Sequence, residues 1–217
     1  MNAITAPLRE LAEFEEGQAL LKKERACIGF TGCVDSQKLH MAYGLSDGFR
    51  YKIIVTFSDL KAREIYEDYQ FYDRDVTLYP AKDLIFYQAD IHGNQLVTDR
   101  MKALRKIIEG KPLTVITTFA ALMSPQVPLE EIAASVIHID GDSRLDEGSL
   151  ARSLTQMGYE KNYQVDAPGQ FSIRGGIIDI FPLTEEVPVR IELWDDEVDS
   201  IRTFDPESQR SVEQLDR

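Results

Sequence analysis

The chain has 217 residues, of which 43% are hydrophobic and 28% charged, and its formal net charge is −13. This composition is typical of one or two globular domains with buried cores; no apolar run approaches the roughly 18 residues of a membrane span, and the acidic N-terminal stretch is unlike a secretory signal. The two cysteines, Cys27 and Cys33, are too few for a disulfide framework, so we expect reduced thiols in a cytoplasmic protein.

The charge is distributed unevenly along the chain. Residues 1–123 carry 16 Lys and Arg against 17 Asp and Glu, whereas residues 124–217 carry 8 against 20. A general nucleic-acid surface needs clustered basic side chains, and the second half has the opposite sign. A protein partner is therefore favoured for the second half. Weak DNA binding by the nearly neutral first half stays open as an alternative.

The first half of the chain alternates helical and strand-like patterns. In chain order we predict a helix over 5–25, a buried strand over 26–31, a helix over 36–45, a strand over 51–57, a helix capped by Ser58, a strand over 75–79, a helix over 95–109 and a strand over 113–117. Strands that alternate with helices predict a parallel sheet covered on both faces.

The pattern changes at about residue 124, where prolines interrupt the chain. We predict a strand over 135–140, a helix over 146–157, and four clustered strands over 170–174, 177–181, 189–194 and 198–204. Gly175-Gly176 and the acidic turn at Asp195-Asp196-Glu197 connect neighbouring strands. These elements predict a second, antiparallel α+β domain over 124–206, after an α/β domain over 1–123.

The segment 27–36, CIGFTGCVDS, lies between a predicted strand and a predicted helix, which is the position of a Walker A loop in a nucleotide-binding fold. Its candidate loop residues are Gly29, Gly32, Val34, Asp35 and Ser36. Valine and aspartate replace the second glycine and the lysine of the motif. A β-branched residue at a positive φ costs about 1–2 kcal/mol, and a carboxylate repels triphosphate. We predict that this loop does not bind ATP, whether it is a degenerate phosphate loop or an ordinary connection.

Other catalytic or metal-binding patterns are weak. His40, His92 and His138 have no Cys or carboxylate partner at metal-ligand spacing, and no nucleophile motif of a hydrolase is present. We therefore assign no catalytic residue and no metal site. An ATPase or helicase half-domain remains the enzymatic alternative, and the missing lysine argues against it.

Two long motifs in the second half carry a family resemblance. Residues 169–182 read GQFSIRGGIIDIFP and residues 195–210 read DDEVDSIRTFDPESQR; upstream, 55–68 and 115–124 fit the same family. The chain resembles the UvrB-homology module at the N-terminus of bacterial transcription-repair coupling factors (Mfd). UvrB itself is a poorer match, because it keeps the Walker lysine and carries a DNA-wedging hairpin for which segment 79–95 is too short.

The resemblance implies a fold and a role. The fold is a degenerate P-loop, RecA-like domain followed by a domain like domain 2 of UvrB, with 207–217 beginning a return to the first domain. The role is non-catalytic: recruitment of UvrA, during nucleotide excision repair, to lesions where RNA polymerase has stalled. ATP, magnesium, RNA polymerase and DNA would engage domains beyond this chain, which would also make intramolecular contacts with it. The protein would be bacterial, cytoplasmic and associated with the nucleoid.

The resemblance also points to residues of the predicted antiparallel sheet. Carried across position by position, the UvrA-facing surface falls at Lys161, Ser172, Arg174, Arg190 and Glu192, with Phe171 as an apolar neighbour. Lysine at 161 keeps the charge but loses the guanidinium fork, and serine at 172 departs from the family's arginine. The alternative is that the two arginines pair with Asp179 or Glu192 on a solvated sheet face.

Overall fold

A computed structural model of the chain describes residues 3–81 and 90–216, without the side chains of 90–94. The chain divides into two compact units. The first comprises Met1–Lys82 and Glu109–Ser124, and the second comprises Asp83–Ile108 and Pro125–Arg217. Part of the segment judged too short for a DNA-wedging hairpin, 82–89, lies outside the described residues.

The described elements follow one another in this order. A 3₁₀ turn at Ala6–Glu10 precedes α1 (Ala12–Leu21), α2 (Asp35–Leu45), β1 (Tyr51–Thr56), α3 (Asp59–Tyr69), β2 (Val76–Tyr79), α4 (Asp90–Ile108), β3 (Leu113–Thr118), α5 (Phe119–Met123), α6 (Leu129–Ala134), α7 (Glu147–Gln156), β4 (Glu160–Lys161), β5 (Gln170–Arg174), β6 (Ile177–Ile180), β7 (Val189–Trp194), β8 (Glu197–Phe204) and β9 (Ser211–Gln214). Among the helices of the described ranges, none combines the length and apolar character needed to cross a bilayer.

The first unit contains a parallel three-stranded sheet with the order β1-β3-β2, which confirms the predicted parallel arrangement. Leu39 of α2 and Ala62 and Tyr69 of α3 form a core with the sheet residues Val76, Leu78 and Ile116. On the other face, the described residues of this unit leave β1 uncovered, and Ile53 is 63% exposed. The prediction of a sheet covered on both faces is therefore wrong for this strand.

Helix α3 begins as the sequence predicts. Ser58 has an extended backbone (φ −146°, ψ 155°), and its side chain accepts a hydrogen bond from the backbone N–H of Lys61 at 3.2 Å. Replacing Ser58 with alanine leaves that N–H without its cap, so we expect the unfolding free energy of the first unit to fall by about 1 kcal/mol. Urea denaturation followed by circular dichroism measures this loss, and Ser58→Asp, which retains a capping oxygen, should restore most of it.

Two predicted strands are absent. Residues 26–31 and 135–140 contain no strand, and Val136 and Ile137 are 47% and 40% exposed. A strand forms only where another strand satisfies its backbone groups, and in the described residues neither segment has such a neighbour. A short apolar run does not reveal whether a pairing partner exists.

The second unit is built on a six-stranded sheet with the order β4-β5-β6-β7-β8-β9. All neighbouring strands are antiparallel except β4 and β5, which are parallel. Leu150 and Leu154 of α7 pack against Ile178, Ile191 and Ile201 of the sheet. The predicted helix and the four predicted strands between 170 and 204 are confirmed. Gly175 and Gly176 have φ values of 56° and 81°, which favour glycine in this tight connection.

The division of the chain differs from the predicted one at helix α4. This helix groups with the second unit, although it lies within the predicted first domain. Ser211–Gln214 forms β9 at the edge of the second sheet, with Ser211 opposite Phe204. That 207–217 begins a return to the first domain stays a prediction.

Candidate protein-interaction face

The register of the second sheet places polar residues side by side on one face. One row across the strands contains Ser172, Asp179, Arg190, Arg202 and Gln214, and the next contains Arg174, Ile177, Glu192 and Ser200. Residues two apart on a strand share a face, and the residues between them form the core with α7. We call Ser172, Arg174, Asp179, Arg190, Glu192, Ser200 and Arg202 the arginine face.

Asp179 is the centre of the arginine face. It is fully buried, and its carboxylate accepts hydrogen bonds from Arg190 (Nε to Oδ1, 2.6 Å; Nη2 to Oδ2, 2.9 Å) and from Arg174 (Nη2 to Oδ2, 2.8 Å). Hydrogen bonding to Asp179 raises the pKa of Arg190 despite the opposing effect of burial. The pairing of both arginines with Asp179, which the sequence left as an alternative, is confirmed.

Arg190 uses its whole guanidinium group within the unit. Beyond its two bonds to Asp179, its Nη1 donates to the backbone carbonyl of Gln209 at 3.2 Å, and its Cζ lies 4.6 Å from the centroid of the buried Phe204 ring. Only 15% of its side chain is exposed. These contacts make Arg190 a structural residue that fixes Asp179 and the loop carrying Gln209.

Among the described residues, Arg174 donates hydrogen bonds through one nitrogen only. Its side chain is 37% exposed, its Nη2 donates to Asp179, and its Cζ lies 5.4 Å from the centroid of the Tyr163 ring. Within the described residues, its Nε and Nη1 donate no hydrogen bond. The guanidinium group therefore presents a second donor edge toward solvent, where a partner could bind.

The remaining predicted residues divide between the face, the edge and the core. Glu192 accepts a hydrogen bond from Ser200 at 2.9 Å and forms an ion pair with Arg202 at 3.9 Å. Lys161 is exposed on edge strand β4, in register with Phe171 rather than with the arginine rows.

The suggested interface role of Phe171 is inconsistent with its placement. Phe171 is fully buried in the core beneath α7. Alternation along β5 directs it away from Arg174, so a partner at the arginine face does not reach it.

Sequence reasoning missed Tyr163, Arg202 and Gln209. Counting alternate residues along β8 would have placed Arg202 on the same face as Ser200. Tyr163 and Gln209 lie outside the strands, and their positions depend on backbone bonds that residue spacing does not reveal. Gln209 has a φ of 60°, and its side-chain amide donates to the carbonyl of Val165 at 3.2 Å.

The candidate phosphate loop has a backbone different from the expected one. Val34 has φ −72° and ψ 160° and precedes α2 directly, so the expected backbone strain at this residue is absent. The positive φ of 77° belongs to Gly32, and among the described residues beyond their chain neighbours, none comes within 4 Å of the Cβ position of Gly29 or Gly32. Ser36 is exposed. Because no strand precedes the loop, its origin as a phosphate loop stays a prediction.

Asp35 occupies the first turn of α2 with its own cationic partners. Its carboxylate accepts from Lys38 at 2.9 Å and from Lys61 at 3.3 Å. These hydrogen bonds, that from Lys38 first, lower the pKa of Asp35 below its ordinary value. An ionised carboxylate that holds both lysines opposes the binding of a triphosphate at this helix end.

We expect no saturable binding of ATP by this chain. Isothermal titration with ATP, with and without magnesium, should give only heats of dilution, and UvrB, expected from the family resemblance to keep the Walker lysine, serves as the positive control. Tight, magnesium-dependent binding by the wild-type chain would restore the enzymatic alternative.

Known proteins match both units of the chain. Residues 137–217 match the family model described as the UvrB interaction domain. The chain is 39% identical over 164 residues to the transcription-repair-coupling factor of Bacillus subtilis (strain 168), a match that covers 75% of this chain and 14% of that protein. It is 31% identical over 222 residues to the transcription-repair-coupling factor of Staphylococcus aureus (strain USA300), covering 100% of this chain and 19% of that protein. The chain is a homologue of the transcription-repair coupling factors.

The chain spans less than a fifth of the length of these coupling factors. The region matched by the UvrB interaction domain begins before α7 and includes the whole arginine face. The arginine face therefore lies within the region that matches the UvrB interaction domain.

Proposed function

We propose that this chain is the UvrA-recruiting module of a transcription-repair coupling factor and acts in transcription-coupled nucleotide excision repair. The observation that carries the proposal is the half-bound guanidinium group of Arg174, on a sheet face within the matched UvrB interaction domain. Such a group is fixed in place by Asp179 and still has donors for a second carboxylate.

The charge of the arginine face suits an acidic partner. It contains Arg174, Arg190 and Arg202 against Asp179 and Glu192, so it is locally positive. Residues 124–217 as a whole carry 8 basic against 20 acidic side chains. Because the surrounding charge is negative, the arginine face is the region of this unit that an acidic surface on UvrA approaches most favourably.

We assign no catalysis and no cofactor to the chain. The first unit acts as a scaffold whose candidate phosphate loop holds Asp35 in place of the Walker lysine. Under this proposal, ATP, magnesium, RNA polymerase and DNA engage domains beyond this chain, and the chain makes intramolecular contacts with them. The site of action is the bacterial cytoplasm at the nucleoid.

A competition experiment tests the proposal. UvrA immobilised on a biosensor should bind the chain saturably, and excess UvrB should displace it, because UvrB carries the same kind of interaction domain. A chain that gives no saturable signal up to about 100 μM, weaker than typical specific protein pairs, would contradict UvrA recruitment by this module.

A further inference from the structure

Tyr163 is an exposed aromatic residue held in a defined position. Its backbone segment is fixed by hydrogen bonds from the Glu160 N–H to the Gly169 carbonyl at 2.8 Å and from the Asn162 N–H to the Phe171 carbonyl at 2.8 Å. The residue itself is 84% exposed. A side chain that is so exposed contributes little to the core, although its backbone is well anchored.

The side chain of Ser172 holds the backbone carbonyl of Tyr163. Its hydroxyl donates to the Tyr163 carbonyl at 3.1 Å, and Ser172 is 1% exposed. This is the position at which the family resemblance implies an arginine, and the serine found here is buried instead of reaching a partner. Ser172 therefore does not contact a partner directly, as the implied arginine would. It holds in place the segment that carries Tyr163.

Tyr163 and Arg174 form one surface feature. The Arg174 Cζ lies 5.4 Å from the ring centroid, within the range of a cation–π contact. The ring restricts the guanidinium group on one side and Asp179 holds it on another. Among the described residues, Asp179 is the single ion-pair partner of Arg174. The Nε and Nη1 groups are therefore held in position and remain available to a partner.

We propose that Tyr163 and Arg174 together receive a carboxylate side chain of UvrA, and that Ser172 is the positioning residue for Tyr163. This inference rests on the proposed function and adds a contact residue to it. A guanidinium group binds a carboxylate through two parallel hydrogen bonds, and tyrosine and arginine are the residue types enriched at interface hot spots. The ring shields this contact from water on one side.

The test is a set of UvrA titrations with matched variants. Tyr163→Ala should weaken UvrA binding about tenfold, whereas Tyr163→Phe, which keeps the ring, should stay within about twofold of wild type. Ser172→Ala should weaken binding in the wild-type background and have little effect once Tyr163 is alanine. Phe71→Ala, which removes an equally exposed aromatic side chain from the first unit, is the control and should bind normally.

Salt dependence and the Arg174→Ala variant distinguish a failure of the Tyr163 contact from a failure of UvrA recruitment. The affinity of the wild-type chain should fall as salt is raised from about 0.05 to about 0.3 M, and Arg174→Ala should reduce this dependence because an exposed ion pair is screened by salt. Normal binding by Tyr163→Ala combined with weak binding by Arg174→Ala would overturn the role of Tyr163 and leave UvrA recruitment standing. Absence of binding by the wild-type chain would instead overturn the proposed function.

Discussion

Replacing Arg190 with alanine is expected to lower the unfolding free energy of the second unit by about 3 kcal/mol, because it breaks a largely buried ion pair from one side. The variant loses both hydrogen bonds to the buried Asp179, the bond to the Gln209 carbonyl and the cover over Phe204. Among the described residues, Arg174 is then the one arginine left to neutralise Asp179.

Hydrogen exchange of peptides from 170–204 during urea unfolding measures this loss in the second unit specifically. Arg174→Ala is the matched comparison: it removes one of the three hydrogen bonds to Asp179 and should cost about 1 kcal/mol. If both variants lose the same unfolding free energy, Arg190 does not stabilise the second unit more than Arg174 does.

Replacing Arg174 with alanine is expected to weaken UvrA binding about 30-fold or more, the effect of an interface hot-spot residue worth about 2 kcal/mol. The fold should persist, because Arg190 still bonds both carboxylate oxygens of Asp179. Arg174→Lys retains the positive charge but not the planar donor fork, so its affinity should lie between those of wild type and Arg174→Ala.

Much of the second unit could be predicted because its signals are local. Gly175-Gly176 and Asp195-Asp196 mark turns, and the apolar residues between them alternate with the spacing of a half-buried strand. The structure confirms the four strands they delimit. The same alternation could have placed Phe171 in the core, because it alternates with Ser172 along β5.

Errors arose where an element depends on a distant partner. The run at 26–31 has the composition of a strand, yet no strand forms there. The strand at 211–214 is not predicted from the sequence, and it forms because β8 offers it a free edge. Backbone pairing decides both cases, and pairing partners are not visible in residue spacing.

The roles of the two arginines could not be separated by sequence. Arg174 and Arg190 both lie on predicted strands, and both match the family pattern. Their difference comes from what surrounds them: the Gln209 carbonyl and the Phe204 ring at Arg190, and the Tyr163 ring and solvent at Arg174. Nothing in the spacing of residues indicates that Gln209 reaches back to β7, or that Ser172 holds the backbone of Tyr163.

The most direct test of the account is a titration of UvrA with the wild-type chain, Arg174→Ala and Arg152→Ala. Arg152 is an equally long basic residue, 73% exposed on α7, which packs on the opposite side of the sheet. The account predicts saturable binding by wild type and Arg152→Ala with similar affinity, and binding about 30-fold weaker by a correctly folded Arg174→Ala. Equal affinities for all three proteins would contradict UvrA recognition through the arginine face.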